Sequence, residues 1–470
     1  MKKLRKNVLR VAFVLCALFV LLLAYGAYTV SVNGNRWFSS TLNEFAREKR
    51  QNVIPGRILD RSGVVLAASD AEGKRVYPED SALRRATVHA VGSSAFNMKS
   101  SAEYFYAAYL YGSRLSFPER LGYAIRGEKY RGDDVRLTID SALSVYIAGL
   151  FPEGKRGAAV VLDYRTGQVL SKLSFPNFDP EDTAAAPAGS SINRATQSLK
   201  APGSTFKIIT AAAAMENMAD YQNRTFICGG QLQAGSRVIT DAGTDLAAGK
   251  ITQHGALTLQ QAFSKSCNNI FAQIALELGD QALRKTAESF GFNDNFLFRD
   301  LVVENSSYPV SNRTEGEIAW TGAGQSALAV SPLHMCLAAA AVANDGVMME
   351  PWMILEASTA SGGTRAAFSS RVYRRPLTKE QASVLKEYMR TVVTSGTGTA
   401  AAISGVKVCG KTGSAEIDGQ EETNAWFVGF LDEPDAPYAL AVVVEDAGGG
   451  GSVSAPIARQ IFSWLIRNHP

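Results

Sequence analysis

Three short patterns follow one another along this 470-residue chain: Ser204-Thr-Phe-Lys207, Ser266-Cys-Asn268 and Lys411-Thr-Gly413. Between them they hold a hydroxyl nucleophile, amines that can act as a base, and a cation beside a hydroxyl that can grip an anion. Taken singly, none is decisive. Ser-x-x-Lys occurs again at Ser383 to Lys386 and at Ser404 to Lys407 without supporting neighbours. Ser-x-Asn is a common turn or helix cap, and Lys-Thr-Gly often does no more than end a strand. Order, spacing and flanks carry the information.

Pro202-Gly203 interrupts the chain before Ser204, and Thr-Phe-Lys-Ile-Ile-Thr-Ala-Ala-Ala-Ala continues as a helical pattern, which puts Ser204 at a helix amino terminus. There the positive end of the helix dipole and free backbone amides favour negative charge developing on oxygen. Lys207 follows one turn later on the same face, within reach of the Ser204 hydroxyl. A serine that attacks a carbonyl needs an adjacent base. The four histidines (His89, His254, His334, His469) are scattered without local support for a catalytic or zinc-binding role. Lysine, with an ordinary pKa of about 10.4, serves if burial and a second cation lower it, and Lys411 is the candidate second cation. The same Ser204 and Lys207 also read as a capping serine followed by a solvated lysine.

Ser266 can relay a proton between Lys207 and a leaving amine, and Asn268 can hydrogen-bond a substrate amide. Cys267, between them, is expected to point away and pack as a small hydrophobe. Gly410 and Gly413 bracket Lys411 and Thr412 and would let backbone approach a ligand closely, so that ammonium and hydroxyl meet a carboxylate. The backbone amides of Ser204 and Ser414 could then form an oxyanion hole.

These residues need a frame. A length of 470 residues with 46% hydrophobic and 20% charged residues describes a globular protein of one large domain plus something smaller. The apolar runs at Gly157 to Asp163 and Gln168 to Ser174, joined by Tyr-Arg-Thr-Gly, predict a β-hairpin. Strands return at Val406 to Lys411, Ala425 to Leu431 and Tyr438 to Glu445, before a closing helix at Ile457 to Ile466. From Ser204 to about Arg390 the pattern is mainly helical, with apolar three-to-four spacing over Ala211 to Met218, Leu257 to Leu278, Pro332 to Asn344 and Lys379 to Val393. The first and last strands can share one antiparallel sheet, with a helical lobe beside it and a cleft between: an α+β fold. Upstream, Trp37 to Gln51 reads as a short helix, Pro55 to Ala67 as a hairpin about Ser62-Gly63, and residues 70–132 as scaffold without a chemical motif.

The formal net charge is +4, but Lys2, Lys3, Arg5, Lys6 and Arg10 supply five positive charges at the amino end, so the remainder stands near −1 and gives no reason to invoke nucleic acid. Val11 to Asn35 carries no charge and is long enough to cross a bilayer, which takes about 20 apolar residues. It exceeds the roughly 7 to 15 residues of a signal peptide's apolar core, and Ala24-Tyr-Gly26 is only a weak cleavage candidate. A retained anchor is expected, with the basic amino terminus in the cytoplasm and the rest outside. The five cysteines (Cys16, Cys228, Cys267, Cys336, Cys409) have no Cys-x-x-Cys spacing, and buried free thiols are expected rather than a disulfide framework.

The three patterns resemble the motifs of the penicilloyl serine transferases, and the flanks resemble the monofunctional class B penicillin-binding proteins. Asn193-Arg-Ala195 with Lys200-Ala-Pro-Gly-Ser-Thr-Phe-Lys207 looks like that family's active-serine region, and Ala262-Phe-Ser-Lys-Ser-Cys-Asn-Asn-Ile-Phe-Ala272 looks like its second motif region. Ala323-Gly-Gln325, Val330-Ser-Pro-Leu-His334, Ala343-Asn-Asp-Gly346 and Ala425-Trp-Phe-Val-Gly-Phe430 also fit, and Gly56 to Ala67 resembles the start of the family's membrane-proximal pedestal. The resemblance implies a cytoplasmic tail over 1–10, a transmembrane helix over 11–32, a reduced pedestal over 33–134 and a transpeptidase domain over 135–470.

It further implies cross-linking of peptidoglycan stem peptides. Ser204 would be the acylated nucleophile, Lys207 the base and Ser266 the relay. Asn268, Lys411, Thr412, Gly413 and Ser414 would bind substrate, and β-lactams would trap Ser204. The implied setting is the bacterial cell membrane, with roles in cell shape or division. A multi-spanning, SEDS-type glycan polymerase and other wall-synthesis proteins are the implied partners, and no metal or organic cofactor is implied. Two residues depart from the usual pattern: Ser414 where Thr is commoner and Ser326 where Gly is usual. A glycosyltransferase domain does not fit the length. A β-lactamase reading lacks a Glu-x-x-Leu-Asn pattern, while a D,D-carboxypeptidase and a non-catalytic wall-assembly scaffold remain as rivals.

Overall fold

The computed structural model describes residues 2–39, 53–93, 98–310, 313–415 and 423–469. Five strands, β1 (Gly157–Asp163), β2 (Val169–Phe175), β3 (Val408–Ala415), β4 (Asn424–Leu431) and β5 (Tyr438–Val444), form one antiparallel sheet in the order β3-β4-β5-β1-β2. Strands near the beginning and the end of the large domain thus share a sheet, as the apolar runs imply. Their sequences are apolar almost without alternation because both faces are covered, so successive side chains enter two different cores. Ala158, Val160 and Leu162 of β1 belong to one cluster, and Ala159 and Val161 to the other. The Pro332–Ala343 helix, buried over its whole length, packs on the first face; the Ser141–Leu150 and Ser454–Asn468 helices pack on the second.

The middle of the chain is less uniformly helical than its spacing predicts. Two small hairpin-like pairs, Thr225–Cys228 with Gly255–Thr258 and Gln231–Ala234 with Arg237–Thr240, lie within it. The single helix expected over Leu257 to Leu278 is broken. Thr258 and Gln261 form a reciprocal capping box that starts a short Leu259–Ser264 helix, and further helix then begins at Asn268 and runs to Ser289 with a break at Gly279, whose φ is 74°. The apolar positions keep their period across the break because both helices face one core, so periodicity alone cannot reveal it.

A second sheet of six strands crosses the boundary expected at residue 134. Asp134–Leu137 pairs in parallel with Ile58–Leu59 and antiparallel with Ile354–Ser358, which pairs in turn with Thr364–Ala367; Val65–Ser69 and Arg75–Val76 complete the other edge. The unit expected over 33–134 therefore shares its sheet with strands from within the segment expected as the large domain. The Ser62-Gly63 hairpin forms as expected, with Asp60 Oδ1 accepting from the amides of Ser62 and Val64 at 2.8 and 2.9 Å. At the amino end a single helix spans Lys2–Ser39. Its apolar portion, Arg5–Thr29, has 25 residues; at about 1.5 Å per residue that exceeds the roughly 30 Å of a bilayer core. Residues 37–39 of the helix expected over Trp37 to Gln51 end this long helix, and the rest lies outside the described residues.

Gly410 and Gly413 both meet a packing requirement. A Cβ on Gly410 would stand 2.3 Å from Cζ of Phe427 on β4, and one on Gly413 would stand 3.0 Å from the Pro202 carbonyl oxygen. The first contact seals the sheet, and the second lets β3 lie against the turn that carries Ser204. Gly410→Ala is expected to cost about 1–3 kcal/mol through overpacking, read as a lowered thermal midpoint.

Candidate active site

Ser204 sits in a 3-10 turn, Gly203–Phe206, and the α-helix proper runs from Lys207 to Asn217. Ser204 therefore precedes the helix start by one tight turn instead of occupying its first position. This still brings Lys207 Nζ to 3.0 Å from Ser204 Oγ. Lys207 is wholly buried, and its ammonium also donates to the Ser266 carbonyl oxygen at 2.7 Å, to Asn268 Oδ1 at 2.7 Å and, more weakly, to Ser266 Oγ at 3.3 Å.

From β3, Lys411 comes in from the opposite side. Its Nζ donates to Ser266 Oγ at 2.8 Å and to the Thr412 carbonyl oxygen at 3.0 Å. Ser266 Oγ thus bridges the two lysines. Burial pushes the Lys207 amine down to about 8, against a smaller upward pull from Cys267 and Asp241. Burial, and then repulsion from Lys207, hold Lys411 well below the usual lysine range. Lys411 stands beside Lys207 as anticipated, but loss of water is what lowers Lys207, and the repulsion between them falls on Lys411.

Ser266 occupies the break between the two helices with a φ of 58°. A serine in this left-handed region is uncommon, and such strain collects at functional sites. The break has a cause. Cys267 caps the second helix, its Sγ accepting from the Ile270 amide at 3.4 Å, while Asp241 Oδ1 accepts from the Asn268 amide at 2.5 Å. The Asn268 side chain is fixed at both ends, with Oδ1 on Lys207 and Nδ2 donating to the Thr240 carbonyl oxygen at 3.0 Å.

Six of the eight candidate residues, Ser204, Ser266, Asn268, Thr412, Gly413 and Ser414, line one cleft of about 580 Å³, and Lys207 and Lys411 lie buried beneath it. Lys411 consequently lies beneath the cleft surface, where its place beside Thr412 in the sequence would not put it. Its amine points at Ser266. The hydroxyls of Thr412 and Thr397, 2.6 Å apart, are among the polar groups that line the cleft on this side. Thr397 was not foreseen: its signal, the Ser395-Gly-Thr-Gly398 turn, marks a loop without saying what it touches. Asp241, which ends a hairpin strand, was missed for the same reason.

The two departures in sequence also find their places. Ser326 has a φ of 70°, the conformation that glycine favours, which accounts for glycine being usual there. Ser414 Oγ accepts from the Gly450 amide at 3.3 Å, a contact that any hydroxyl side chain can make. Gln325 donates to the Ser414 carbonyl oxygen at 3.4 Å. In an extended strand the N–H and C=O of one residue point the same way, so the Ser414 amide faces the Gln325 side of β3, which is the free edge of the sheet.

Comparison with known proteins gives consistent matches. The family model "Penicillin binding protein transpeptidase domain" matches residues 157–463. Over 97% of this chain and 98% of the relative, the sequence is 29% identical to the peptidoglycan D,D-transpeptidase PbpA of Mycolicibacterium smegmatis. Among solved structures, penicillin-binding protein A of M. tuberculosis as an imipenem acyl-enzyme complex is 27% identical with a TM-score of 0.77, covering 89% of this chain and 100% of that one. The D,D-transpeptidase domain of a peptidoglycan glycosyltransferase from Eggerthella lenta is 30% identical with a TM-score of 0.75, covering 88% and 99% respectively.

Proposed function

We infer the chemistry from the premise that this chain belongs to the penicillin-binding protein transpeptidase family, class B, and propose that Ser204 carries it. The activity is peptidoglycan D,D-transpeptidation, with acylation by β-lactams. One observation carries the assignment of roles: Lys207 Nζ, held dry and low in pKa, lies 3.0 Å from Ser204 Oγ, with Ser266 Oγ bridging it to Lys411.

In this reading Ser204 Oγ attacks the carbonyl of the penultimate D-alanine of a stem peptide as its proton passes to neutral Lys207. The backbone amides of Ser204 and Ser414 meet the oxyanion. As the tetrahedral adduct collapses, the C–N bond breaks, and Ser266 passes a proton from the lysine pair to the departing D-alanine amine. An ester on Ser204 remains. An amine of a neighbouring stem then attacks that ester, giving its proton back through the same route, and Ser204 is restored. Asn268 binds a substrate amide. Thr412, with Thr397 beside it and Lys411 beneath, receives the terminal carboxylate, and Gly413 and Ser414 lie along the bound backbone.

The apolar Lys2–Ser39 helix anchors the chain in a membrane. We place the basic amino terminus in the cytoplasm and the cleft outside, where stem peptides are joined, beside a multi-spanning glycan polymerase. On lipid-linked glycan strands with intact D-Ala-D-Ala stems, the full chain is expected to release D-alanine in step with cross-linked dimers. D-alanine release with only trimmed, uncrossed stems would instead make it a D,D-carboxypeptidase.

A further inference from the structure

Directly behind Asn268, four side chains that are far apart in sequence converge. Cys228 ends one hairpin strand, Asp241 follows another, His254 precedes a third, and Cys267 caps the Asn268–Ser289 helix. Successive members are 13 residues apart, a spacing that matches no local metal-binding pattern. Their donor atoms nevertheless all lie within 4.8 Å of one another. Cys267 is fully buried, as expected, but its thiol faces this cluster and not an apolar wall.

We propose that Cys228 Sγ, Asp241 Oδ2, His254 Nδ1 and Cys267 Sγ bind one divalent cation of the zinc class, which fixes the Ser266–Asn268 segment in its catalytic position. The donor set is that of a closed structural zinc site: four ligands, of thiolate, imidazole and carboxylate type. The spacing agrees. Zinc bonds of about 2.0–2.3 Å at tetrahedral angles place donors about 3.4–3.8 Å apart. Here Cys228 Sγ is 3.6 Å from His254 Nδ1, His254 Nδ1 is 3.3 Å from Asp241 Oδ2, and Asp241 Oδ2 is 3.0 and 3.4 Å from the sulfurs of Cys228 and Cys267. The two remaining separations, from Cys267 Sγ to Cys228 Sγ and to His254 Nδ1, are within 4.8 Å, so shifts of up to about 1 Å complete the tetrahedron.

Binding would displace both thiol protons to solvent and leave the imidazole neutral. The other oxygen of Asp241 accepts from the Asn268 amide, and Cys267 is the neighbour of both Ser266 and Asn268. One ion would therefore pin two hairpins and the strained catalytic turn together. With four protein ligands and no open position it has no chemical step of its own, so its effect on the reaction is positional.

The test uses the full chain, purified without chelator, and reads metal rather than turnover. About one zinc per chain is expected by elemental analysis. Replacement by Co²⁺ is expected to give thiolate-to-cobalt absorption with tetrahedral d–d bands, and a chelator should lower the thermal midpoint until zinc is restored. Cys228→Ser is expected to take bound zinc below about a tenth per chain and to remove most of the thiolate band. Wild-type protein holding under about a tenth of an equivalent of any divalent metal, with no cobalt–thiolate band, overturns the proposal even if every variant misfolds. So does a Cys228–Cys267 disulfide in non-reducing mass analysis.

Discussion

Ser204→Ala is expected to take up no β-lactam at all. Intact-mass analysis after incubation with benzylpenicillin should show one added drug mass on the wild type and none on the variant, and cross-linking should fall by roughly 10⁴-fold or more, the scale seen when a catalytic nucleophile is deleted. The loss should be chemical rather than structural. Ser204 Oγ receives one of several hydrogen bonds from Lys207, and the bonds to the Ser266 carbonyl and to Asn268 Oδ1 remain when it is gone. A hydrogen bond from a charged amine to a hydroxyl is worth about 1.5–3 kcal/mol, and with the other acceptors of Lys207 kept the thermal midpoint should move by only a few degrees. An adduct persisting on Ser204→Ala would mean that another side chain is the nucleophile. A wild type that forms an adduct but never cross-links would favour a carboxypeptidase or a scaffold.

Much of this site was legible in the sequence because each motif stands at a place where local signals are strong. Pro202-Gly203 marks the turn before the nucleophile, and the Ala-rich run after Lys207 marks the helix. The apolar run ending at Lys411 marks one strand and Ala425 to Leu431 marks another, and the two pair in the sheet. What could not be read was set by contacts between distant segments. The break at Ser266 depends on Asp241, 25 residues earlier, accepting from the Asn268 amide. The burial of Lys411, which brings its amine to Ser266 Oγ beneath the cleft, depends on how closely β3 lies against the serine turn. Thr397 enters the cleft only because the turn after the Lys379–Ser395 helix folds onto β3. Cys228 and His254 look unrelated until two hairpins bring them together. Local propensity places elements, and long-range packing decides what their side chains meet.

The base assignment makes the sharpest demand on pH. A lysine that titrates near 8 is mostly cationic at pH 6 and mostly neutral at pH 10, and only the neutral amine can take the Ser204 proton. Stopped-flow acylation by a chromogenic β-lactam should therefore rise with pH through a midpoint near 8 and then level off. At pH 6, two units below that midpoint, the rate should be about a hundredth of the plateau. Lys207→Arg keeps a cation but cannot give up its proton near neutral pH, so its rate should be lower by about 10²- to 10⁴-fold and should lack the rise. Lys411→Met tests the pairing. Lys411 and Lys207 are buried against one hydroxyl and repel each other's charge. The pair thus prefers to hold one proton between them, and burial together with repulsion from Lys207 leaves that proton on Lys207. Lys411 is then neutral where Lys207 titrates, so Lys411→Met is expected to keep the midpoint near 8 and to lower the rate by a similar factor at pH 7 and pH 10, through loss of the hydrogen bond to Ser266 Oγ. A midpoint that moves to higher pH in Lys411→Met would mean that Lys411 is charged while Lys207 titrates.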